Sequence, residues 1–279
     1  MMTGLAAVIH VFGIPRIDLP ILQGMKLGGN TILITGGGSG IGRGLAENFH
    51  ALGNQVIIAG RRRQALEETT TANPGMIAVT FDIADGASIR SFAAEMAARF
   101  PALNVLINNA GIMRFENLQA QQVDPADAEA IVTTNLLGPI RLTAALLPLL
   151  RTQPYSAIVN VSSGLGFVPL ATAPTYCATK AAIHSYTQSL RYQLKATTTE
   201  VLELVPPYVA TQILPGGPSD PRAMPLAEYI AEVMEILKTQ PGVTEICVER
   251  VKRLYGAAAS GHYDEVFNGL NAAMTGENL

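Results

Sequence analysis

The chain of 279 residues is poor in cysteine and in charged side chains, and it has no excess of basic residues. Its two cysteines, Cys177 and Cys247, cannot build a disulfide framework, and neither stands at a zinc-ligand spacing. We therefore expect a reducing, cytoplasmic environment and no metal site. The 19 Lys and Arg residues against 22 Asp and Glu residues predict no basic surface for binding a nucleic acid.

Long apolar runs are also absent. The longest, Leu136 to Leu150, is interrupted by glycine, proline and arginine and is shorter than the roughly 20 residues that a bilayer-spanning helix requires, so we expect no membrane span. Residues 1–24 contain the apolar segment Leu5 to Val11, but they lack the charged start and the cleavage site of a signal peptide. They are interpreted either as an extension upstream of a natural start at Met25, disordered or not native, or as a helix packed on the domain.

What the sequence does contain is a pattern of alternating elements. From Thr31 onward, short β-branched runs alternate with stretches of helical period, which is typical of strands buried on both faces and joined by crossover helices. Residues 25–279 are therefore predicted to form a single α/β domain on a Rossmann-type doubly wound parallel sheet of about seven strands. The predicted strands are Thr31 to Thr35, Gln55 to Ala59, Met76 to Phe81, Val105 to Asn108, Ala157 to Ser162, Thr199 to Val205 and Glu245 to Val248. The predicted helices are Gly40 to Leu52, Arg62 to Thr71, Asp85 to Arg99, Pro125 to Leu150 and Pro174 to Ala196, with others after Pro225.

The segment after the sixth strand is rich in proline, which predicts an irregular loop. A loop of this length in a compact domain is usually a lid or a binding segment, so residues 206–228 are assigned as a substrate loop.

The first predicted strand runs directly into a glycine-rich turn and a helix. Such glycines permit the turn, the close approach of a pyrophosphate and tight packing of the helix, whose N-terminus would face the phosphates. This arrangement predicts a dinucleotide site that includes Thr35, Gly36, Ser39, Gly40, Ile41 and Gly42.

The residues that follow the second strand indicate which dinucleotide the site would bind. An acidic residue about 20 positions after the turn would hold a ribose 2′-hydroxyl, but Gly60 stands there and Arg61, Arg62 and Arg63 follow. Guanidinium groups suit a 2′-phosphate, so Arg61 and Arg62 favour NADP(H), with NAD(H) as the alternative.

Two further strand ends supply candidate cofactor contacts. Asp82, followed by Ile83, either accepts a hydrogen bond from an adenine amino group or caps a helix. Asn108, Ala110 and Gly111 after the fourth strand either let the backbone approach a ribose or form a plain turn.

Tyr176 and Lys180 are four residues apart on one predicted helix and project from the same face. An ammonium nearby would favour the phenolate and lower the pKa of Tyr176 toward the range useful for acid–base catalysis. Ser163 lies at the carboxyl edge of the fifth strand, where open α/β sheets bind ligands.

Together these patterns resemble the short-chain dehydrogenase/reductase family over about residues 26–211. The residues that carry the resemblance are Thr35 to Gly42, Asn108 to Gly111, Asn135, Ser163, Tyr176 and Lys180. The resemblance implies that Tyr176 exchanges a proton with the substrate oxygen, which Ser163 also binds. It implies that Lys180 binds the nicotinamide ribose and tunes Tyr176, and that Asn135 holds a water linking Lys180 to solvent. The alternative for Asn135 is a core amide with its hydrogen bonds satisfied.

Two regions depart from the family pattern. Pro207 replaces the usual glycine after Pro206, which leaves Val209 and Thr211 as the matching cofactor contacts in that segment. The C-terminal portion also differs, and with the Pro206-Pro207 pair it most resembles the DltE-type oxidoreductases.

A mostly apolar substrate pocket is predicted from Leu165, Phe167, Val168, Leu170, Ile213 and Leu214, with Met113 and Arg114 as candidates at its mouth. His184 is interpreted as a packing or interface residue.

The leading hypothesis is an NADP(H)-dependent oxidoreductase that moves a hydride between nicotinamide and a small-molecule carbonyl or alcohol. The alternatives are a regulatory sensor that binds NADP(H) without turnover and, less favoured, a methyltransferase, which would not use the proton-transfer residues. Apolar residues beyond a single stripe on the helices ending at Leu150 and Leu194 predict a homodimer or homotetramer.

Overall fold

The fold is taken from a computed structural model that describes residues 24–214 and 216–275. Residues 1–23 of the predicted extension lie outside the described residues. Seven parallel strands form one sheet in the order β3-β2-β1-β4-β5-β6-β7. The strands are β1 (Thr31–Thr35), β2 (Gln55–Gly60), β3 (Ile77–Thr80), β4 (Leu103–Asn108), β5 (Ser156–Val161), β6 (Thr199–Val205) and β7 (Glu245–Cys247). The helices are α1 (Gly40–Ala51), α2 (Arg63–Ala72), α3 (Gly86–Arg99), α4 (Ala126–Val132), α5 (Gly138–Leu150), α6 (Pro174–Leu194), α7 (Leu226–Thr239), α8 (Lys252–Tyr255) and α9 (Tyr263–Thr275).

The predicted doubly wound sheet is confirmed, with strand ends that differ by two residues or fewer. Successive residues of β1 point to opposite faces of the sheet, and both faces are covered by helices. Ile32 and Ile34 pack with Phe49 of α1, whereas Leu33 packs in a second cluster with Phe92 of α3. Burial on both faces explains why these strands are continuous apolar runs.

The order of the strands reverses at β1. The chain builds β2 and β3 on one side of β1 and then crosses over to place β4 on the other side. In open α/β sheets this reversal opens a crevice beyond the carboxyl ends of the strands, and ligands bind there. The predicted site residues after β1, β2, β4 and β5 all lie at this edge.

The predicted helix from Pro125 to Leu150 has a π-helical turn, Thr133–Leu137, between α4 and α5. Such turns recur at functional sites. The helical stretch Ala126–Leu150 is long and apolar enough to cross a membrane by length and composition, and 44% of its most apolar window is buried in the protein. Leu142, Leu146 and Leu150 of α5 pack in the hydrophobic core, as expected of a core helix. The absence of a membrane span stays a prediction.

Candidate active site

A cavity of about 520 Å³ opens at the carboxyl edge of the sheet. It brings together most of the residues predicted for the site, although they come from loops far apart in the sequence. The predicted residues that line it are Thr35, Gly36, Ser39, Gly40, Ile41, Arg61, Arg62, Ile83, Ala110, Gly111, Ser163, Tyr176, Lys180, Val209 and Thr211. Four other predicted residues, Gly42, Asp82, Asn108 and Asn135, are not among the lining residues.

The glycine-rich turn joins β1 to the N-terminus of α1 at the cavity. Gly36 has φ +69°, a left-handed conformation that favours glycine. Gly42 contributes by close packing, because a Cβ added there would lie 2.5 Å from the Gly36 carbonyl oxygen. Ser39, Gly40 and Ile41 line the cavity, so the first backbone N–H groups of α1 can donate hydrogen bonds to an anion there.

Two of the three consecutive arginines face the cavity. Arg61 and Arg62 line it, and Arg62 Nη2 donates to Ser39 Oγ at 2.5 Å. Arg63 begins α2 and pairs instead with Glu67 at 2.6 Å, which raises the pKa of Arg63. None of the described residues that line the cavity is acidic. This side of the cavity therefore carries positive charge without a carboxylate to compete for it.

The side chains of two predicted cofactor contacts are hydrogen-bonded within the protein, and their roles toward a cofactor stay predictions. Asp82 Oδ1 accepts a hydrogen bond from the Ala84 N–H at 2.9 Å, so this carboxylate stabilises a turn ahead of α3. The buried Asn108 donates to Thr143 Oγ1 and to Asn160 Oδ1 at 3.0 and 2.8 Å, inside the core. Asn108 therefore ties the end of β4 to its neighbours through its side chain, and the approach of its backbone to a ribose stays a prediction.

The neighbouring Asn109 lines the cavity in place of Asn108. Its Nδ2 donates to the Thr35 carbonyl oxygen at 2.9 Å. Thr35 Oγ1 in turn accepts hydrogen bonds from the N–H groups of Asn109 and Ala110, each at 3.0 Å. These contacts tie the end of β1 to the end of β4 and hold the glycine-rich turn beside Gly111.

Tyr176 lies near the N-terminus of α6 with only 6% of its surface exposed, and its hydroxyl is hydrogen-bonded to Ser163. Burial raises the pKa of Tyr176 to about 12, against the smaller lowering effect of Ser163. The prediction of a lowered pKa is therefore wrong. The physical reason is that desolvation disfavours the phenolate, while the Lys180 ammonium lies 5.7 Å from the ring centroid.

Lys180 is also buried, and its Nζ donates to the Val161 carbonyl oxygen at 2.8 Å. Burial lowers the pKa of Lys180 to about 8, and the nearby Glu203 carboxylate opposes that shift. The ammonium lines the cavity one helical turn beyond Tyr176, with a pKa closer to neutrality than that of an exposed lysine.

Asn135 lies in the π-helical turn, and its side-chain amide is hydrogen-bonded within the protein. Oδ1 accepts from the Ile112 N–H at 2.9 Å, and Nδ2 donates to the Ile112 carbonyl oxygen at 2.8 Å. These bonds are those of a core amide, one of the two predicted alternatives for this residue. Asn135 still borders the site, because a Cβ added at Gly111 would lie 3.4 Å from Asn135 Oδ1 and 3.8 Å from Lys180 Nζ.

The other side of the cavity is apolar, as predicted, but its lining differs in part. Met113, Leu165, Leu170, Ile213 and Leu214 line it. Phe167 and Val168 do not: Phe167 packs against Tyr255, and Val168 is fully buried. Arg114, predicted as a candidate for the mouth, pairs with Asp127.

Sequence reasoning missed the contribution of the C-terminal helices to this wall. Leu254 of α8 and Leu270, Ala273 and Met274 of α9 line the cavity. Apolar residues recur at helical spacing from Val266 to Met274, which was the available signal, but nothing local indicates where such a helix docks.

A row of four polar side chains, three of them buried, crosses four strands of the sheet. Asn108, Asn160, Glu203 and Glu245 stand in register on β4, β5, β6 and β7. Glu203 is completely buried, and its Oε2 lies 2.7 Å from His184 Nδ1 on α6. The row therefore joins the sheet to the helix that carries Tyr176 and Lys180.

His184 also packs edge-on against Phe167, with ring centroids 4.6 Å apart, as expected of a packing residue. Atoms of His184, Glu203 and Glu245 that are able to bind a metal lie within 4.8 Å of one another. However, His184 and Glu203 contact each other, and Glu245 accepts hydrogen bonds from Arg191 and Tyr255. The absence of a metal site stays a prediction.

Comparison with known proteins agrees with this geometry. Residues 30–220 match the model of the family described as short chain dehydrogenase. The chain is 38% identical over 251 residues to the uncharacterized oxidoreductase DltE of Bacillus subtilis, covering 88% of this chain and 98% of that protein.

Two solved structures share the fold. A short chain dehydrogenase from Burkholderia cenocepacia in complex with NADP has a TM-score of 0.74 at 25% identity, covering 88% of this chain and 99% of that one. A 3-ketoacyl-(acyl-carrier-protein) reductase from Brucella melitensis complexed with NADH has a TM-score of 0.71 at 26% identity, covering 81% of this chain and 100% of that one. The family match and the DltE relationship show that the chain belongs to the short chain dehydrogenase family, the class of NAD(P)-dependent dehydrogenases and reductases.

Proposed function

We propose that the protein is an NADP(H)-dependent oxidoreductase that interconverts a carbonyl compound and its alcohol. The proposal depends on one observation: two sets of functional residues line the same cavity. One set is the glycine-rich turn with Arg61 and Arg62, and the other is the buried group of Ser163, Tyr176 and Lys180. A protein that only sensed the nucleotide would need the first set alone.

The residues on the charged side of the cavity fit a dinucleotide with a 2′-phosphate. The turn and the N-terminus of α1 would hold the pyrophosphate, because their N–H groups and the helix dipole favour an anion. Arg61 and Arg62 would hold the 2′-phosphate through forked, charge-assisted hydrogen bonds. When bound, the cofactor supplies or accepts the hydride at its nicotinamide ring. Solved relatives bound to NADP and to NADPH support this choice, while a relative with NADH keeps NAD(H) as the alternative.

Tyr176 is proposed as the proton donor in the direction of reduction. A pKa of about 12 keeps its hydroxyl protonated at neutral pH, so a proton is available for the developing alkoxide. The Ser163 hydroxyl, already hydrogen-bonded to Tyr176, would bind the same substrate oxygen. Lys180 would bind the nicotinamide ribose and hold positive charge beside Tyr176, which stabilises the phenolate as it forms.

Asn135 is proposed to hold the water that links Lys180 to solvent, through its main-chain carbonyl. Its side chain is occupied by Ile112. Pro139, four residues later, has no N–H, so the Asn135 carbonyl lacks the usual α-helical donor, which favours a water at this oxygen. The path would return a proton to Tyr176 by way of Lys180.

The test of the proposed function combines nucleotide titration with a panel of carbonyl compounds. Tyr176→Phe is expected to lower kcat by about 10²- to 10⁴-fold while NADPH affinity stays within a few fold. Turnover by Tyr176→Phe at the rate of the natural protein would defeat the assigned proton transfer. Tight NADPH binding without any turnover of a broad panel would favour the sensor, which the comparisons do not support.

The preference for NADP(H) has its own test. Replacing Arg61 and Arg62 together by Ala removes two charge-assisted contacts, so NADPH affinity should fall about 100-fold. NADH affinity should change by less than about threefold, since NADH lacks the phosphate. Arg63→Ala is the matched control, because this arginine pairs with Glu67. Equal losses for the two nucleotides in the double variant would remove the assignment.

The protein is further proposed to form a homodimer or homotetramer in the cytoplasm through the outer faces of α5 and α6. Partly exposed leucines on α5, Leu147 and Leu149, and the exposed Tyr192 on α6 support this surface. A monomeric mass in light scattering across micromolar concentrations would contradict it.

A further inference from the structure

We propose that the substrate of this site is an uncharged ketone, aldehyde or alcohol whose hydrocarbon body packs between the loop after β5 and the C-terminal helix α9. The proposal rests on the proposed function in one respect, since it places the reacting oxygen at Tyr176 and Ser163. It adds the chemical class of the rest of the molecule and the element that selects it.

The first support is the composition of the wall beside the Tyr176 hydroxyl. Ile112, Met113, Leu165, Leu170, Leu270 and Met274 all line the cavity and pack in the same apolar cluster as Tyr176. A substrate oxygen held at Tyr176 therefore has aliphatic and thioether groups around it. Burial of apolar surface is favourable in proportion to the area removed from water, and methionine adapts to irregular shapes.

The second support is the distribution of charge. The cationic residues among the described lining residues are Arg61, Arg62, Lys180 and Arg222. The first two lie on the glycine-turn side, and Lys180 lies one helical turn beyond Tyr176. Arg222, the cation on the apolar side, is held by Asp220 through contacts of 2.7 and 3.0 Å.

The half-exposed Arg222 side chain is thus already paired with a carboxylate of the protein. The Arg222 guanidinium holds the pKa of Asp220 well below its usual value, and Tyr208 donates a further hydrogen bond to the same carboxylate. A carboxylate or phosphate on the substrate would therefore have to displace Asp220 to pair with Arg222, and elsewhere on this side of the cavity it would be buried against apolar groups, which is unfavourable.

The third support is the way α9 is anchored. Asn271 Oδ1 accepts from the Ala171 N–H at 2.6 Å, and Asn271 Nδ2 donates to the Pro169 carbonyl oxygen at 3.2 Å. On the other side, Arg222 Nη1 donates to the Ala273 carbonyl oxygen at 3.1 Å. The helix is therefore fastened both to the loop after β5 and to the substrate loop. Its inner residues, Leu270 and Met274, set the depth of the apolar space.

The experiment compares two probes of equal length that differ in one terminal group, 2-octanone and 7-oxooctanoate. Binding to the NADPH-loaded protein is followed by saturation-transfer NMR, and reduction is followed separately by NADPH absorbance. The expected result is at least tenfold tighter binding and at least tenfold higher kcat/KM for 2-octanone. Binding of 7-oxooctanoate as tight as that of 2-octanone would overturn the proposal, and so would the failure of both to bind.

A charge placed on α9 should change the selection. Leu270→Arg is expected to tighten 7-oxooctanoate binding and weaken 2-octanone binding, while Leu270→Met, the matched control, keeps the preference for 2-octanone. Met274→Arg makes the same test from the next turn of the helix if the first variant does not fold. An unchanged preference in both folded arginine variants would show that α9 does not select the substrate. Binding of 2-octanone without reduction would instead count against the proposed function and leave the substrate class standing.

Discussion

Replacing Lys180 by Met should stabilise the nucleotide-free protein at pH 7 while it abolishes turnover. The reason is that the natural protein holds an ammonium at the cavity with only 5% of its residue surface exposed, where water solvates it poorly. Methionine has a similar length and no charge, so it fills the same space without the cost of desolvation.

The magnitude follows from the pKa. Burial lowers the pKa of Lys180 from 10.5 to about 8, and each unit corresponds to 1.36 kcal/mol, so the charged form costs about 3 kcal/mol of folding free energy. The variant also loses the hydrogen bond to the Val161 carbonyl oxygen, worth about 1 kcal/mol. The net gain at pH 7 is therefore about 2 kcal/mol, or a rise in Tm of roughly 4 to 8 °C at the 2 to 4 °C per kcal/mol typical of large domains.

The stability difference between the natural protein and Lys180→Met should depend on pH. Below pH 8 Lys180 is protonated in both the folded and the unfolded states, and the full cost of burying its charge is present. Between pH 8 and pH 10.5 the unfolded chain binds more protons than the folded one, so the stability of the natural protein rises and the cost disappears. The advantage of Lys180→Met should thus be largest at pH 7 and fall by about 3 kcal/mol by pH 10.5.

Urea denaturation of both proteins at several pH values between 7 and 10.5 measures this difference. Lys195→Met is the control, because Lys195 is an exposed lysine next to the end of α6 and should change stability by less than about 0.5 kcal/mol. A Lys180→Met variant that is less stable than the natural protein at pH 7, or a difference that does not change with pH, would refute the reasoning.

Three other changes test the scaffold around the site. Gly42→Ala forces a Cβ to within 2.5 Å of a backbone oxygen of the glycine-rich turn, so NADPH affinity measured by calorimetry should fall at least tenfold in a folded protein. Asn160→Ala leaves the buried Asn108 and Thr187 without their shared partner and should lower the free energy of unfolding by about 2 kcal/mol in urea. Asp85→Ala removes the N-cap of α3 and should cost about 1 kcal/mol with turnover unchanged; a loss of turnover would place α3 in the catalytic machinery.

Local sequence signals were sufficient to predict the fold class, the glycine-rich turn and the pairing of Tyr176 with Lys180 on one helix face. A parallel strand covered on both faces must be a short continuous apolar run, as Thr31–Thr35 is. A turn that approaches phosphates closely needs glycine, and a helix that presents two side chains to one point needs them four residues apart. Tyr176 and Lys180 meet that last requirement.

Other features of the site depend on tertiary surroundings that no local sequence pattern contains. At the end of β4, Asn109 lines the cavity and Asn108 points into the core, because successive residues of a strand point to opposite faces of the sheet. The neighbouring lysine alone suggested a lowered pKa for Tyr176. The pKa is raised instead, because desolvation of the hydroxyl depends on every group packed around it. The helix α9 reached the site from about 100 residues further along the chain, held by Asn271 against Ala171. Helical period specifies an apolar face, but the face that receives it exists only after the chain has folded.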